Sequence, residues 1–250
     1  MSRAFHYISH GSSFFTDLVR STRDGEYVLP VFQRPFIWDE ADIIALLDSM
    51  WRGYPIGTIL LWENWRAQTR EVRSFRGCAT PLPHACLVLD GQQRIQAMID
   101  ATAPGSGYAF ELAADRFVRV ASPKISDGFV PCEVLTDFVS FMTSFAEEYD
   151  RAHPRPAAVT IEAPLTKRGK KRPTVFQPQP PPPPKTPEQE AVTAKIERAE
   201  SVLGAFREVR IGSVTIPAEC DEAFAREVFR RMNRTGKAFT EADIFGCLGS

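Results

Sequence analysis

The chain has 250 residues, 44% of them hydrophobic and 24% charged, with a formal net charge of −1. That is ample for a buried core, and a near-neutral balance excludes any global pull toward nucleic acid or an anionic membrane. The five cysteines (Cys78, Cys86, Cys132, Cys220, Cys247) form no C-x-x-C pair, a pattern of free thiols in a reducing cytosol rather than of a zinc site. The N-terminus lacks the apolar core of a signal peptide, and no apolar run approaches the ~20 residues of a membrane span. The expected compartment is therefore cytoplasmic, with no membrane contact.

In chain order, residues 14–22 ("FFTDLVRST") read as a short helix. Residues 26–38 ("EYVLPVFQRPFIW") read as extended, since Pro30 and Pro35 disfavour helix. A clear helix follows over 40–52. Ile43, Ile44, Leu47, Met50 and Trp51 share a face, Asp39 is placed to N-cap it, and Gly53 with Pro55 ends it. Residues 56–63 read as a buried strand. An Arg-rich loop leads to a strand over 86–90 and a helix over 92–101 that buries Ile95, Met98 and Ile99. Residues 108–120 alternate around Ala113-Ala114-Asp115-Arg116, which predicts a β-hairpin, and 137–150 predict another helix.

From Pro154 to Pro187 proline density is high and no period survives, so this segment is expected to be an extended linker or insertion. Its basic cluster, Lys167, Arg168, Lys170, Lys171 and Arg172, reads either as a solvated loop or as a contact to DNA. Order returns with a helix over 188–209, a strand over 210–217, and a helix–turn–helix start over 221–245. Thr240 and Glu241 would open a helix whose amphipathic face is incomplete at Ser250, so the chain is expected to continue in a longer protein. The whole predicts an α/β domain with a small mixed sheet and packed helices. Residues 1–153 and 188–250 form one domain, interrupted by the Pro-rich insertion.

The chemistry concentrates at the joint Asp90-Gly91-Gln92-Gln93-Arg94, where a strand opens into a helix. Free backbone N–H groups and the helix dipole make such a corner an anion site, and Gly91 would let a ligand approach the backbone. Arg94 in the first helical turn opposes the dipole, a conflict that an anionic ligand would resolve. Asp90 can N-cap the helix, hold a metal or accept a proton. As a plain alternative, Asp90 is only a cap and the glutamines are solvated. A second cluster is Gln33-Arg34 within Phe32–Trp38, and a third is Asn233, Thr235, Gly236 and Lys237. The third reads either as a turn or as a contact to phosphates; it is not a Walker A loop. No Ser-His-Asp set and no metal-nuclease cluster is suggested by His6, His10, His84 or His153.

Three segments, "VFQRPFIWDEADIIALLDSMWRGYPIGTILLW", "LVLDGQQRIQAMI" and "VFRRMNRTGKAFTEADIF", together resemble successive motifs of the GmrSD-type restriction and defence family. The resemblance implies a ParB/sulfiredoxin-like α/β domain that binds and hydrolyses nucleoside triphosphate, with Asp-Gly-Gln-Gln-Arg as the signature of its nucleotide site. It also implies a His-Asn-His-type nuclease, absent from this sequence and expected as a C-terminal or partner component, and phage or modified DNA as the target. On that basis Gln33, Arg34, Gly91, Gln92, Gln93, Arg94, Asn233, Thr235, Gly236 and Lys237 are the expected nucleotide contacts. Asp90 would hold Mg²⁺, Gln93 would orient the attacking water, and Arg34 and Arg94 would neutralise phosphate charge. A homo-oligomer is a further expectation. A non-hydrolysing module that binds nucleotide or modified DNA is the rival reading, with Phe32, Phe36 and Trp38 as an aromatic edge for DNA.

Overall fold

The computed structural model describes residues 8–31, 33–63, 72–137 and 186–234, the side chains of Glu188, Asn233 and Arg234 excepted. A six-stranded mixed sheet organises these residues. Its strands are β1 (Ser9–Phe14), β2 (Tyr27–Pro30), β3 (Ile59–Trp62), β4 (Val72–Arg73), β5 (Cys86–Asp90) and, from late in the chain, β9 (Arg210–Ile216). The spatial order is β1-β9-β3-β5-β2-β4. The β9/β3 and β5/β2 pairs are parallel, and the other three are antiparallel. A smaller antiparallel sheet holds β6 (Tyr108–Glu111), β7 (Arg116–Arg119) and β8 (Phe129–Pro131), with β6 in the centre. The α/β class and mixed sheet expected from the sequence are what the structure shows.

Alternation along the strands divides the core in two. Val88 on β5 faces one side with Leu61, Ile59 and Leu29, while Leu87 and Leu89 face the other with Val28, Leu60, Trp62 and Ile216. The first side is covered by α1 (Phe15–Arg23), α2 (Glu40–Trp51), α3 (Gln92–Ala101) and α4 (Pro187–Glu208). The second receives α5 (Glu222–Arg234) through Ala225, Phe224 and Val228.

Local chemistry sets the helix ends. Asp39 and Asp42 form a reciprocal capping box on α2, as Thr186 and Gln189 do on α4, where Pro187 opens the helix. The α4 helix thus begins at 187, so the last residue of the expected insertion is already helical. At the other end of α3, Arg23 donates to Thr102 Oγ1 at 2.7 Å and to Ile99 O at 3.4 Å, placing a cation where the dipole favours one.

An aromatic cluster joins the layers. Phe206 of α4 meets Phe15, Trp51 and Phe117 at centroid distances of 5.8, 6.4 and 5.7 Å, and Trp51 meets Phe110 at 4.9 Å. The hairpin expected over 108–120 is β6–β7, turning through Asp115 in the left-handed region. The helix expected over 137–150 and residues 154–185 of the insertion lie outside the described residues, Asp137 apart.

Candidate functional site

The β5–α3 corner is built by Gly91, whose φ of +98° turns the strand into the helix. The space that a Cβ there would take is filled by Ile59 Cγ1, 3.0 Å away. Glycine is needed for the turn and for this strand packing, where the sequence had suggested ligand approach. Gly91 is also the N-cap residue, and no side chain caps α3, so Asp90 is not the cap that the sequence allowed.

The glutamines are not solvated. Gln92 and Gln93 are only 6% and 8% exposed. Gln93 Oε1 accepts from Ile37 N at 2.9 Å and its Nε2 donates to Pro35 O at 3.0 Å. Gln92 Nε2 donates to Arg34 O at 2.8 Å. Gln33 returns the grip, its Nε2 donating to Leu89 O at 2.6 Å. Together they clamp the extended segment 33–37, which has no strand partner among the described residues and in which Pro35 has no N–H to offer. Arg73 strengthens the clamp by donating to Gln33 O (2.9 Å) and Arg34 O (3.2 Å).

Arg94 has a structural task that the sequence reading did not give it. Its Nη1 donates to Ile56 O at 2.8 Å, and its Nη2 to Thr58 O at 2.9 Å and to Asp90 Oδ2 at 3.2 Å. The 56–58 turn accommodates the guanidinium through Gly57, at φ +81°, where a Cβ would lie 2.7 Å from Nη1. The side chain is 16% exposed. Burial lowers its pKa and Asp90 opposes that shift. Arg94 therefore holds Asp90 and the 56–58 turn to the helix.

What remains for a ligand is a smaller set. The Asp90 side chain is 38% exposed, and the Arg34 guanidinium is exposed with no ion pair among the described residues. Gln92 Oε1 and Arg73 Nε are buried without hydrogen-bond partners, two open valences beside an uncapped helix N-terminus. No group of three or more His, Cys, Asp or Glu side chains able to hold a metal exists among the described residues. At this corner Asp90 is the carboxylate that would hold a Mg²⁺ ion, and a phosphate ligand would supply the hard oxygen donors that this metal prefers.

Of the other expected contacts, Asn233 lies near the end of α5, on the sheet face opposite α3, with its side chain undescribed. Thr235, Gly236 and Lys237 lie outside the described residues, as do Lys167, Arg168, Lys170, Lys171, Arg172 and Phe32. Sequence reasoning missed Arg73 and Gln96. Gln96, 4% exposed, grips Arg76 through both backbone atoms, at 2.9 Å to N and 3.2 Å to O. A polar residue three positions after Gln93, on an otherwise buried helix, was the available signal.

A mixed sheet whose β5–α3 corner is clamped to a Gln-Arg-Pro segment by Asp-Gly-Gln-Gln-Arg defines an α/β module. The family model for the GmrSD restriction endonuclease N-terminal domain matches residues 15–248, and the chain belongs to that family. It is thereby a component of the restriction-system kind. Over 101 residues it is also 36% identical to an uncharacterized protein, MJ0686, of Methanocaldococcus jannaschii; the match takes in 38% of this chain and 17% of that protein's length. Among the described residues no helix is long and apolar enough to cross a membrane.

Proposed function

We propose that the chain is the nucleoside-triphosphate-hydrolysing sensor of a modification-dependent DNA restriction system, with the β5–α3 corner as its nucleotide site. The observation that carries this reading is the uncapped N-terminus of α3 with the unpartnered Gln92 Oε1, where Gln92 Nε2 holds the backbone of Arg34, a residue exposed and without an ion pair among the described residues. Helix N-terminal amides favour a phosphate, and Arg34 adds a charge-assisted contact. Gln92 Oε1 is an acceptor, so it meets a hydroxyl or amine of the ligand, or a water, rather than a phosphate oxygen.

The roles follow from which groups are free. Asp90 would hold a divalent cation that neutralises phosphate charge, and Arg94 keeps the Asp90 carboxylate in place. Turnover needs a water in line with the terminal phosphate. Gln93 keeps a lone pair and an N–H beyond its bonds to Pro35 O and Ile37 N, but the side chain is buried. A triphosphate that displaces the 33–37 segment would expose that spare capacity and would pass the change to a nuclease component acting on phage or modified DNA.

The burial of Gln93 also favours a second reading, in which nucleotide is bound without turnover. Calorimetric binding of ATP, GTP, CTP and UTP with Mg²⁺, beside phosphate release with and without modified DNA, separates the two. Binding with release supports the hydrolase; binding alone supports the non-hydrolysing module; no binding of any of the four removes the corner as a nucleotide site.

A further inference from the structure

A cavity of about 500 Å³ lies at the other end of α3, between the 36–40 segment and the small sheet. Its walls include Phe36, Trp38 and Tyr108, three aromatic rings from two separate parts of the chain. Arg76 lies over the Phe36 ring at 5.3 Å and Arg119 over the Tyr108 ring at 5.4 Å. Both guanidiniums are engaged by carboxylates as well. Arg76 pairs with Asp100, and Arg119 pairs with Glu40 at 3.2 Å. The two guanidiniums are thus held in place by carboxylates, and a further carboxylate, Asp39, stands at the wall. Asp39 Oδ1 accepts from Asp42 N at 3.0 Å, but its Oδ2 accepts nothing from the described residues.

We infer that this cavity is a second binding site that takes an amine-bearing nucleobase swung out of a DNA strand. Flat aromatic and guanidinium faces at the wall suit a planar ring. A carboxylate oxygen with spare capacity accepts from the exocyclic amine of cytosine or adenine and not from a carbonyl edge. The volume suits a base with its sugar, within the range of small-ligand pockets. The strand's phosphates would remain outside, where Arg34 stands two residues before Phe36 on the same segment.

The cavity is joined to the nucleotide corner by bonded contacts. Gln93 grips the backbone on both sides of Phe36, at Pro35 O and Ile37 N. Gln96, one turn further along α3, grips Arg76 beneath the ring. Filling the cavity and filling the corner therefore act on the same short segment from its two ends. The inference rests on the reading above only in taking DNA as the partner.

The test uses the full chain with a short single-stranded oligonucleotide carrying one 2-aminopurine, whose fluorescence is quenched on stacking, and a matched abasic strand. The wild type should quench the probe and bind it more tightly than the abasic strand. Trp38→Ala should weaken binding roughly 5- to 150-fold, the usual range for one lost stacking partner, and should abolish quenching. Asp39→Asn keeps an N-cap on α2, and should narrow the preference for adenine over hypoxanthine in the same strand. Triphosphate affinity, measured on the same samples, should be unchanged in both variants. A wild-type protein that binds the base-bearing strand but no triphosphate would sink the corner and leave this site standing. Equal binding of base-bearing and abasic strands, or full quenching by Trp38→Ala, overturns the inference. So does heat from spermidine that Trp38→Ala abolishes, since that assigns the cavity to an organic cation.

Discussion

Two arginines, sixty positions apart, divide the work of the corner. Arg94 spends its guanidinium on Ile56 O, Thr58 O and Asp90, whereas Arg34 is exposed and unpaired among the described residues. Arg94→Ala leaves two carbonyls without donors and Asp90 without its counter-ion. A hydrogen bond from a charged group contributes about 1.5–3 kcal/mol, so melting should fall by several degrees at the usual ~2–4 °C per kcal/mol for a chain of this size. Arg94→Lys should recover little, because an ammonium lacks the planar fork. Arg34→Ala should leave the melting temperature alone and weaken triphosphate binding; calorimetry of both variants checks the division. The thiols give a pH signature. Burial pushes Cys86 up to about 11, and pushes the fully buried Cys132 up as well. The unfolded chain then loses these protons first, so stability is fully present below about pH 8.5 and declines as pH rises toward 11. Denaturant midpoints at pH 7, 9 and 10.5 would show it, and a flat profile would mean that neither thiol is protected.

At the scale of elements, the position of the corner was legible but its wiring was not. The amphipathic period of α2, the apolar run of β5 and the turn at Gly91 are local signals, and the structure places α3 over the same residues, 92–101, that the sequence did. The partners of Gln92 and Gln93 lie more than fifty residues earlier, so their burial could not be read from polarity, which by itself suggests solvent. Strand β1 was missed for a related reason. "SHGSSF" is polar and largely exposed, and it is a strand because its backbone pairs with β9, two hundred residues away. The clamp makes its own prediction. Gln93→Ala removes the side-chain acceptor of the Ile37 amide and the donor to Pro35 O, so the Ile37 amide should exchange about tenfold faster or more, as loss of one buried hydrogen bond allows, with far less effect on the amides of β5. Exchange at Ile37 unchanged from the wild type would show that the segment is held by something else.

At the scale of the whole molecule, the last strand completes the first sheet. Strand β9 lies between β1 and β3, bonded to both, and α4 just before it brings Ile196, Ala199, Val202, Leu203 and Phe206 into the main core. A fragment ending before 186 would therefore lose the partner of two strands and the ring that Phe15, Trp51 and Phe117 pack against. Phe206→Ala alone should cost about 3–5 kcal/mol, as large-to-small changes of buried aromatics do. Loss of the whole α4–β9 unit exceeds the 5–15 kcal/mol that a domain has to spare. Residues 1–153 expressed alone should thus show no cooperative thermal transition. Co-expressed with 186–250, they should assemble into a complex that melts cooperatively, because the contacts that define the sheet and core run between those two segments. Recovery of the pair as a stable complex would show that one domain is built from both; a cooperative transition in 1–153 alone would show that β1 and β3 find other partners and that the sheet does not depend on β9.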